Sequence, residues 1–218
     1  MTTTAVLPVK RFANAKQRLA ASLPADLRRS LAEAMVSDVL RALRRTKTID
    51  EVVVVTAEPI AAALATSQGA KVVGDPEERG HTEAALLGIA AAPGADRVLL
   101  LPGDCPALAP TDIEAVLGAA PGSPSVVVVP DRHGTGTNAL VLTPPDAIRP
   151  AFGPGSRARH DELAAEAGIR AVVASVDAFA MDVDTPEDLA TLRDALASAR
   201  GTAASTRGLL GRIDTASR

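Results

Sequence analysis

The sequence predicts an α/β fold, with a mostly parallel sheet and helices on both faces. Short apolar runs alternate with longer stretches of helical periodicity, and the connections between them are short. Composition agrees: 47% hydrophobic and 22% charged residues mark a chain able to bury a core. With 1% aromatic residues, that core must be built from Leu, Val, Ile and Ala.

Residues 5–9 form the first buried strand. Leu27, Leu31, Met35, Val39 and Leu43 recur every four residues with charges between them, which predicts a helix over 24–45. The valines at 52–55 are continuous and β-branched and read as a central strand. A helix over 59–67 stops before Gly69, a suitable cap. A short strand at 71–73, the polar loop GDPEERG and a helix over 82–92 follow. The strand at 97–101 ends in PGDCPAL, and a helix over 110–119 and a strand at 125–129 come next. The loop PDRHGTG leads to a strand at 138–142, a helix over 156–167 and a strand at 171–175. A last helix over 186–197 is capped by Asp184 or Thr185, with Pro186 and two acids in its first turn. Residues 1–200 thus read as one domain, and 201–218, rich in Ser, Thr, Gly and Arg, as a flexible or loosely docked tail.

A net charge of −3 gives no general attraction for nucleic acid or an anionic membrane. The lack of Trp and Tyr leaves almost nothing to stack single-stranded bases. A single Cys excludes an intramolecular disulfide framework and a cysteine-rich zinc site. No apolar run approaches the roughly 18 residues that span a membrane. The start, MTTTAVLPVKR, lacks the marks of a signal peptide, so the cytoplasm is the expected compartment.

In open parallel sheets, ligands sit beyond the carboxyl ends of the strands. Three polar clusters fall at such places. Asp104 follows the apolar run at 97–101; Gly103 beside it leaves room for a close ligand, and its carboxylate is the hard donor that Mg²⁺ takes. Capping of the next segment is the plainer use. Asp182 and Asp184 alternate along an extended stretch and so face one side. Two such carboxylates repel unless a cation or donors lie between them. Asp184 has a competing role as a helix cap, which makes Asp182 the better metal ligand. Lys10, Arg11, Lys16 and Arg18 form a basic loop free of acids, suited to a polyphosphate or simply to solvent. The first glycine in the chain is Gly69, so this loop is neither a P-loop nor a dinucleotide fingerprint.

Two glycine loops complete the set. His133-Gly134-Thr135-Gly136-Thr137-Asn138 offers amides and hydroxyls to a carboxylate or phosphate, and equally suits a tight turn. Phe152-Gly153-Pro154-Gly155-Ser156-Arg157 leads into a helix whose N-terminus attracts anions, with Ser156 able to serve only as its cap. His81, His133 and His160 show no metal-ligand spacing, and Cys105 reads as a small buried thiol. A site without acid–base machinery suits nucleotidyl transfer to a phosphate already ionised at pH 7, where positioning and charge neutralisation do most of the catalysis.

Taken in order, PVKRFANAKQRL, GDCPAL, DRHGTGTNAL, FGPGSRARH and MDVDTPEDL resemble the 2-phospho-L-lactate/phosphoenolpyruvate guanylyltransferase family of coenzyme F420 biosynthesis, over roughly residues 5–195. The resemblance implies a nucleotide-diphospho-sugar transferase-like (GT-A-like) fold, GTP as donor and Mg²⁺ as cofactor. It implies transfer of GMP onto the phosphate of a three-carbon phospho-acid, with release of pyrophosphate. Asp104 and Asp182 would then bind metal with Asp184 close by, Thr137, Gly153 and Ser156 would hold the phospho-acid, and Lys10, Arg11, Lys16 and Arg18 the triphosphate. The stretch of Gly80 and Thr82 would approach the base; Thr82 stands where the family is expected to have Asn, and Cys105 where it is expected to have an aliphatic residue.

The Ala- and Arg-rich composition and a likeness to the bacterial branch favour phosphoenolpyruvate as acceptor over 2-phospho-L-lactate or 3-phosphoglycerate. The product would be enolpyruvyl-2-diphospho-5'-guanosine. Competing readings are another nucleotidyltransferase of this fold and a non-catalytic nucleotide-binding protein. A downstream transferase is the expected partner, and the sequence is compatible with a homo-oligomer.

Overall fold

The β-branched runs of the sequence form the middle of a seven-stranded sheet. The computed structural model describes residues 1–198 and 201–216 of the 218. The strands are β1 (Thr3–Val9), β2 (Glu51–Thr56), β3 (Lys71–Gly74), β4 (Arg97–Leu100), β5 (Ser125–Pro130), β6 (Thr137–Thr143) and β7 (Val172–Val173), in the order β3-β2-β1-β4-β6-β5-β7. Only β6 runs against the others, pairing antiparallel with β4 and β5. The helices are α1 (Ala25–Arg45), α2 (Pro59–Ser67), α3 (His81–Ala90), α4 (Pro110–Gly118), α5 (Ser156–Glu166), α6 (Pro186–Ser198) and α7 (Ala204–Ala216).

Successive strand residues point to opposite faces, and this divides the core. Ala5, Leu7, Val54, Leu99 and Val127 pack with α1, α2 and α4. Val6, Val53, Val55, Leu100 and Val128 pack with α3 and α5. The predicted fold class is therefore found, with one strand reversed. Among the described residues, no helix is long and apolar enough to cross a membrane.

Two features of this topology place the site. The chain leaves β1 for β2 and β3 on one side, then returns to lay β4 on the other. The carboxyl ends of β1 and β4 thus border a switch point, where open α/β sheets bind ligands. Because β6 is reversed, its first residues, Thr137 and Asn138, reach that same edge.

A third apolar cluster sits beside the sheet. Leu19 and Leu23 follow the basic loop, Leu31 and Met35 come from α1, and Val183, Leu189 and Leu192 from α6 and its approach. This cluster draws the basic loop and the Asp182–Asp184 stretch together. Ala203, Leu209 and Leu210 at the C-terminal end also belong to it.

The flexible tail expected from composition is instead helix α7, docked on α1. Asp38 of α1, itself buried, accepts the N–H groups of Ser205 (2.9 Å) and Thr206 (2.8 Å) and pairs with Arg41 (3.0 Å). It acts as a helix cap supplied from a distant part of the chain. Asp38→Ala leaves these amides without their acceptor and should cost ~1–3 kcal/mol. Chemical denaturation should show that loss together with faster proteolysis after residue 200; an unchanged midpoint would remove Asp38 from this role. The last strand is shorter than expected. Only Val172 and Val173 pair, with Val127 and Val128, before the chain leaves the sheet edge for the turn Asp177–Ala180.

Candidate active site

The basic loop is pinned at both ends by apolar side chains. Phe12 and Leu19 are buried, and two short 3-10 turns, Phe12–Asn14 and Gln17–Leu19, connect them across the sheet edge. The Phe12 N–H donates to Glu58 Oε2 at 3.0 Å, while Glu58 Oε1 caps α2 through Ile60. Lys16, between the pins, adopts φ 54° and ψ 39°. That left-handed conformation is strained for a residue with a side chain and collects at functional sites.

It turns the Lys16 ammonium inward, 2.6 Å from Asp104 Oδ2 and 3.1 Å from Asp184 Oδ1, with the side chain only 7% exposed. Burial alone would lower the Lys16 pKa, but the two carboxylates outweigh it and hold the ammonium above its ordinary value. Lys16 is a permanent cation here.

The other three cations separate. Lys10 lines, with Lys16, His81 and Asp104, a crevice of about 340 Å³ at the switch point. Arg18 is 75% exposed at the mouth, 3.7 Å from Asp184. Arg11 is turned away and held by Glu78 through both its backbone N–H (3.1 Å) and its Nε (2.9 Å). Two of the four predicted phosphate binders therefore line the crevice, and Arg11 is committed elsewhere.

The carboxylates are unequal. Asp104 Oδ1 is buried without a hydrogen-bond partner. Asp182 accepts from Asn138 Nδ2 at 3.0 Å, and the same amide donates to the Phe179 carbonyl at 2.6 Å. Burial and the nearby Asp104 push the Asp182 carboxyl above the usual range, against the pull of Asn138. An orphaned buried oxygen and mutually repelling hard donors fit Mg²⁺, which takes one or two carboxylates plus substrate phosphates. Among the described residues no three His, Cys, Asp or Glu side chains converge closely enough to hold a metal by themselves. Asp184 is engaged by Lys16 and Arg18, so the donor set that fits is Asp104 with Asp182.

Asp184 does not cap α6 either. Thr185 and Asp188 do so reciprocally: Asp188 Oδ2 accepts from the Asp184 and Thr185 amides (2.8 and 2.7 Å), and Thr185 Oγ1 accepts from Asp188 (3.3 Å). Burial raises the Asp188 carboxyl, yet Arg132 and these amides hold it well below the usual range. A depressed folded pKa contributes stability that is present above the unfolded value and lost as pH falls toward the folded one. Asp188→Asn should therefore be less stable than wild type at pH 7, and the gap should narrow progressively as pH falls below about 4. A gap undiminished between about pH 7 and pH 2 would contradict that pairing.

Gly103 has a different reason from the one its sequence position implies. A Cβ there would lie 2.9 Å from Val36 Cγ2, so it is small because α1 packs against it. Cys105 is fully buried, as expected, with its thiol raised mainly by burial.

Beyond His81, whose ring lies edge-on to Phe152 (centroids 4.4 Å), the two glycine loops meet, through the Arg157 N–H and the Thr135 carbonyl (3.2 Å). Thr137 Oγ1 lies 3.0 Å from His160 Nδ1. Gly153 and Gly155 adopt φ of +117° and +69°, which lets the chain curl into α5. Gly155 is the N-cap, so Ser156 is the first helical residue rather than the cap, and it is buried with its N–H on the Gly153 carbonyl (3.0 Å). Arg159 braces the loop from behind by donating to the Ala151 carbonyl (2.9 Å) and to that of Pro154. Gly153 and Ser156 are thus bonded to each other, and their loop is tied to the one that carries Thr137.

Gly80 and Thr82 part company. Gly80, at φ +114°, caps α3 beside a small recess lined by Lys10, Asp75 and Glu78. Thr82 Oγ1 accepts the Phe152 N–H at 3.0 Å, and Glu83 pairs with Arg149 at 3.0 Å. Thr82 therefore joins α3 to the loop that opens α5. Asn138, Glu58 and His160 carry no role in the sequence reading; their partners lie 44, 46 and 23 residues away, so spacing gives no signal.

Fixed cations and carboxylates at the switch point, with the two glycine loops joined beyond His81, place this chain among the nucleotidyltransferases built on the nucleotide-diphospho-sugar transferase-like fold. A solved structure from Desulfovibrio desulfuricans G20, described as a nucleotide-diphospho-sugar transferase, shares that fold with a TM-score of 0.73 and 20% identity, over 99% of this chain and 96% of that one. The family model described as guanylyl transferase CofC like matches residues 3–203, and the chain belongs to that family. It is 51% identical over 216 residues to the phosphoenolpyruvate guanylyltransferase of Conexibacter woesei, covering 98% of this chain and 97% of the relative. It is 41% identical over 194 residues to the enzyme of the same name from Sphaerobacter thermophilus, covering 88% and 93%.

Proposed function

We propose that this protein transfers GMP from GTP to phosphoenolpyruvate, forming enolpyruvyl-2-diphospho-5'-guanosine and pyrophosphate, with Mg²⁺ as cofactor. The observation that carries the reading is the buried Lys16 ammonium clamped between Asp104 and Asp184 in the crevice at the switch point. The names of the relatives supply the nucleotide and the acceptor.

Lys16 and Lys10 hold phosphate oxygens of the donor at fixed positions and balance charge that moves toward the leaving pyrophosphate. Asp104 and Asp182 would hold Mg²⁺, which would supply further neutralisation of those phosphates. Asn138 orients Asp182 and so keeps the donor set in place. The Thr137 hydroxyl and the amides around Gly153 and Ser156 receive the acceptor at the N-terminus of α5. An acceptor phosphate oxygen, ionised at pH 7, forms the new bond to the α-phosphorus as the bond to the β-phosphate oxygen breaks. No proton has to move, in keeping with a crevice histidine, His81, that is held neutral: burial, against the pull of Asp104 and with Lys10 adding to it, pushes its pKa down to about 4.

The test is pyrophosphate release from GTP and Mg²⁺ with phosphoenolpyruvate, 2-phospho-L-lactate or 3-phosphoglycerate offered separately, and a downstream transferase present as a trap. Release is expected with phosphoenolpyruvate. Preference for another phospho-acid would reassign the acceptor, and silence with all three would overturn the reading.

A further inference from the structure

Hydrogen bonds around His160 fix where its proton lies. The Ala151 N–H donates to His160 Nε2 at 2.9 Å, so Nε2 must present a lone pair. The ring is fully buried, lies edge-on to Phe152 (centroids 5.4 Å) and sits near the Arg159 guanidinium. Burial first, and Arg159 second, keep it neutral, with a pKa lowered to about 4. A neutral imidazole whose Nε2 accepts carries its proton on Nδ1. That nitrogen lies 3.0 Å from Thr137 Oγ1. Toward the ring, then, the Thr137 oxygen accepts, and its own proton is directed elsewhere.

We infer that His160 is a positioning residue: by donating from Nδ1, it turns the Thr137 hydroxyl into an outward-facing donor for a phosphate or carboxylate oxygen of the acceptor. The inference rests on the reading of Thr137 as an acceptor-binding residue. A hydroxyl free to rotate would present an anion with a lone pair in part of its orientations. One polarised in advance needs no reorganisation when the anion arrives. The bond that Ala151 makes to the other nitrogen is what selects the tautomer, as a distant partner does for metal-bound and catalytic histidines.

Two measurements decide it. Long-range ¹H–¹⁵N correlation on the wild-type protein should show His160 as the neutral Nδ1–H tautomer at pH 7, and an Nε2–H tautomer or a charged ring overturns the inference. The second separates the two ring nitrogens. His160→Gln keeps an acceptor near the Nε2 position for Ala151 and loses the donor to Thr137; His160→Asn does the reverse. With donation as the role, His160→Gln raises KM for the acceptor by about 10-fold while leaving KM for GTP unchanged, and His160→Asn stays within about 3-fold of wild type. The opposite order shows that His160 only braces the loop through Ala151, which overturns the inference. In a Thr137→Val background, His160→Gln should add nothing further. If wild-type protein transfers GMP to no acceptor, the functional reading fails separately and the tautomer measurement still decides the state of His160.

Discussion

Asp104→Ala is expected to lower kcat by roughly 10³-fold while the protein remains folded. The size follows from the position of this carboxylate. One of its oxygens anchors Lys16 at 2.6 Å, and the other is buried without a partner. A fold-stabilising Asp would satisfy both oxygens; this one keeps one in reserve. Its removal relieves the repulsion that raises Asp182 but leaves the buried Lys16 ammonium with Asp184 alone, so thermal stability should fall modestly while the fold is kept. Calorimetry should show Mg²⁺-dependent GTP binding weakened in step with kcat. A variant that retains a tenth or more of its turnover, or that unfolds, would contradict the assignment.

Lys16→Met should lower kcat by roughly 10²-fold and destabilise as well. The substitution keeps the apolar stem and removes the charge. Asp104 and Asp184 are then left beside Asp182 with no buried cation among them. Breaking a buried ion pair costs about 3–5 kcal/mol, but Asp184 is partly solvated and screened, which brings the expected loss to ~1–3 kcal/mol. Mg²⁺ should recover part of that stability in Lys16→Met and less in wild type, where Lys16 already neutralises the site. Denaturation with and without Mg²⁺ measures the difference, and equal stabilisation of both proteins would contradict it. Lys16→Arg should not restore activity, because the guanidinium fork does not fit a pocket built for a point charge.

Much of the fold was legible because periodicity reports burial directly. The valine runs lie in the sheet, and the four-residue spacing from Leu27 to Leu43 forms α1. Strand direction was not legible: alternation in β6 looks the same whichever way it runs, yet its reversal carries Thr137 and Asn138 to the site. The C-terminal helix was missed because composition describes a segment and not its partner, and Asp38 lies 167 residues from Ser205.

The site shows the same division. Asp104 was readable from its place after an apolar run and Asp182 from its alternation with Asp184; the structure leaves one Asp104 oxygen buried without a partner and gives Asp182 to Asn138. The four cations of the first loop were equivalent by charge alone. Buried Phe12 and Leu19 sort them, turning Lys16 in and Arg11 out toward Glu78. Thr185 and Asp188 form the α6 cap that was open between Asp184 and Thr185, because Asp188 at the third helical position returns the bond. Thr82 was expected near the base, and only the folded chain brings Phe152, 70 residues on, to its hydroxyl.

The central claim is that an acceptor phosphate attacks the α-phosphorus of GTP directly in the Lys16–Asp104 crevice. Phosphoenolpyruvate carrying ¹⁸O in its phosphoryl group, incubated with GTP, Mg²⁺ and the protein, tests it in one experiment read by mass spectrometry. The account predicts a guanosine diphospho-ester that retains all the label and pyrophosphate that has none. Release of GMP, or label in the pyrophosphate, would contradict it.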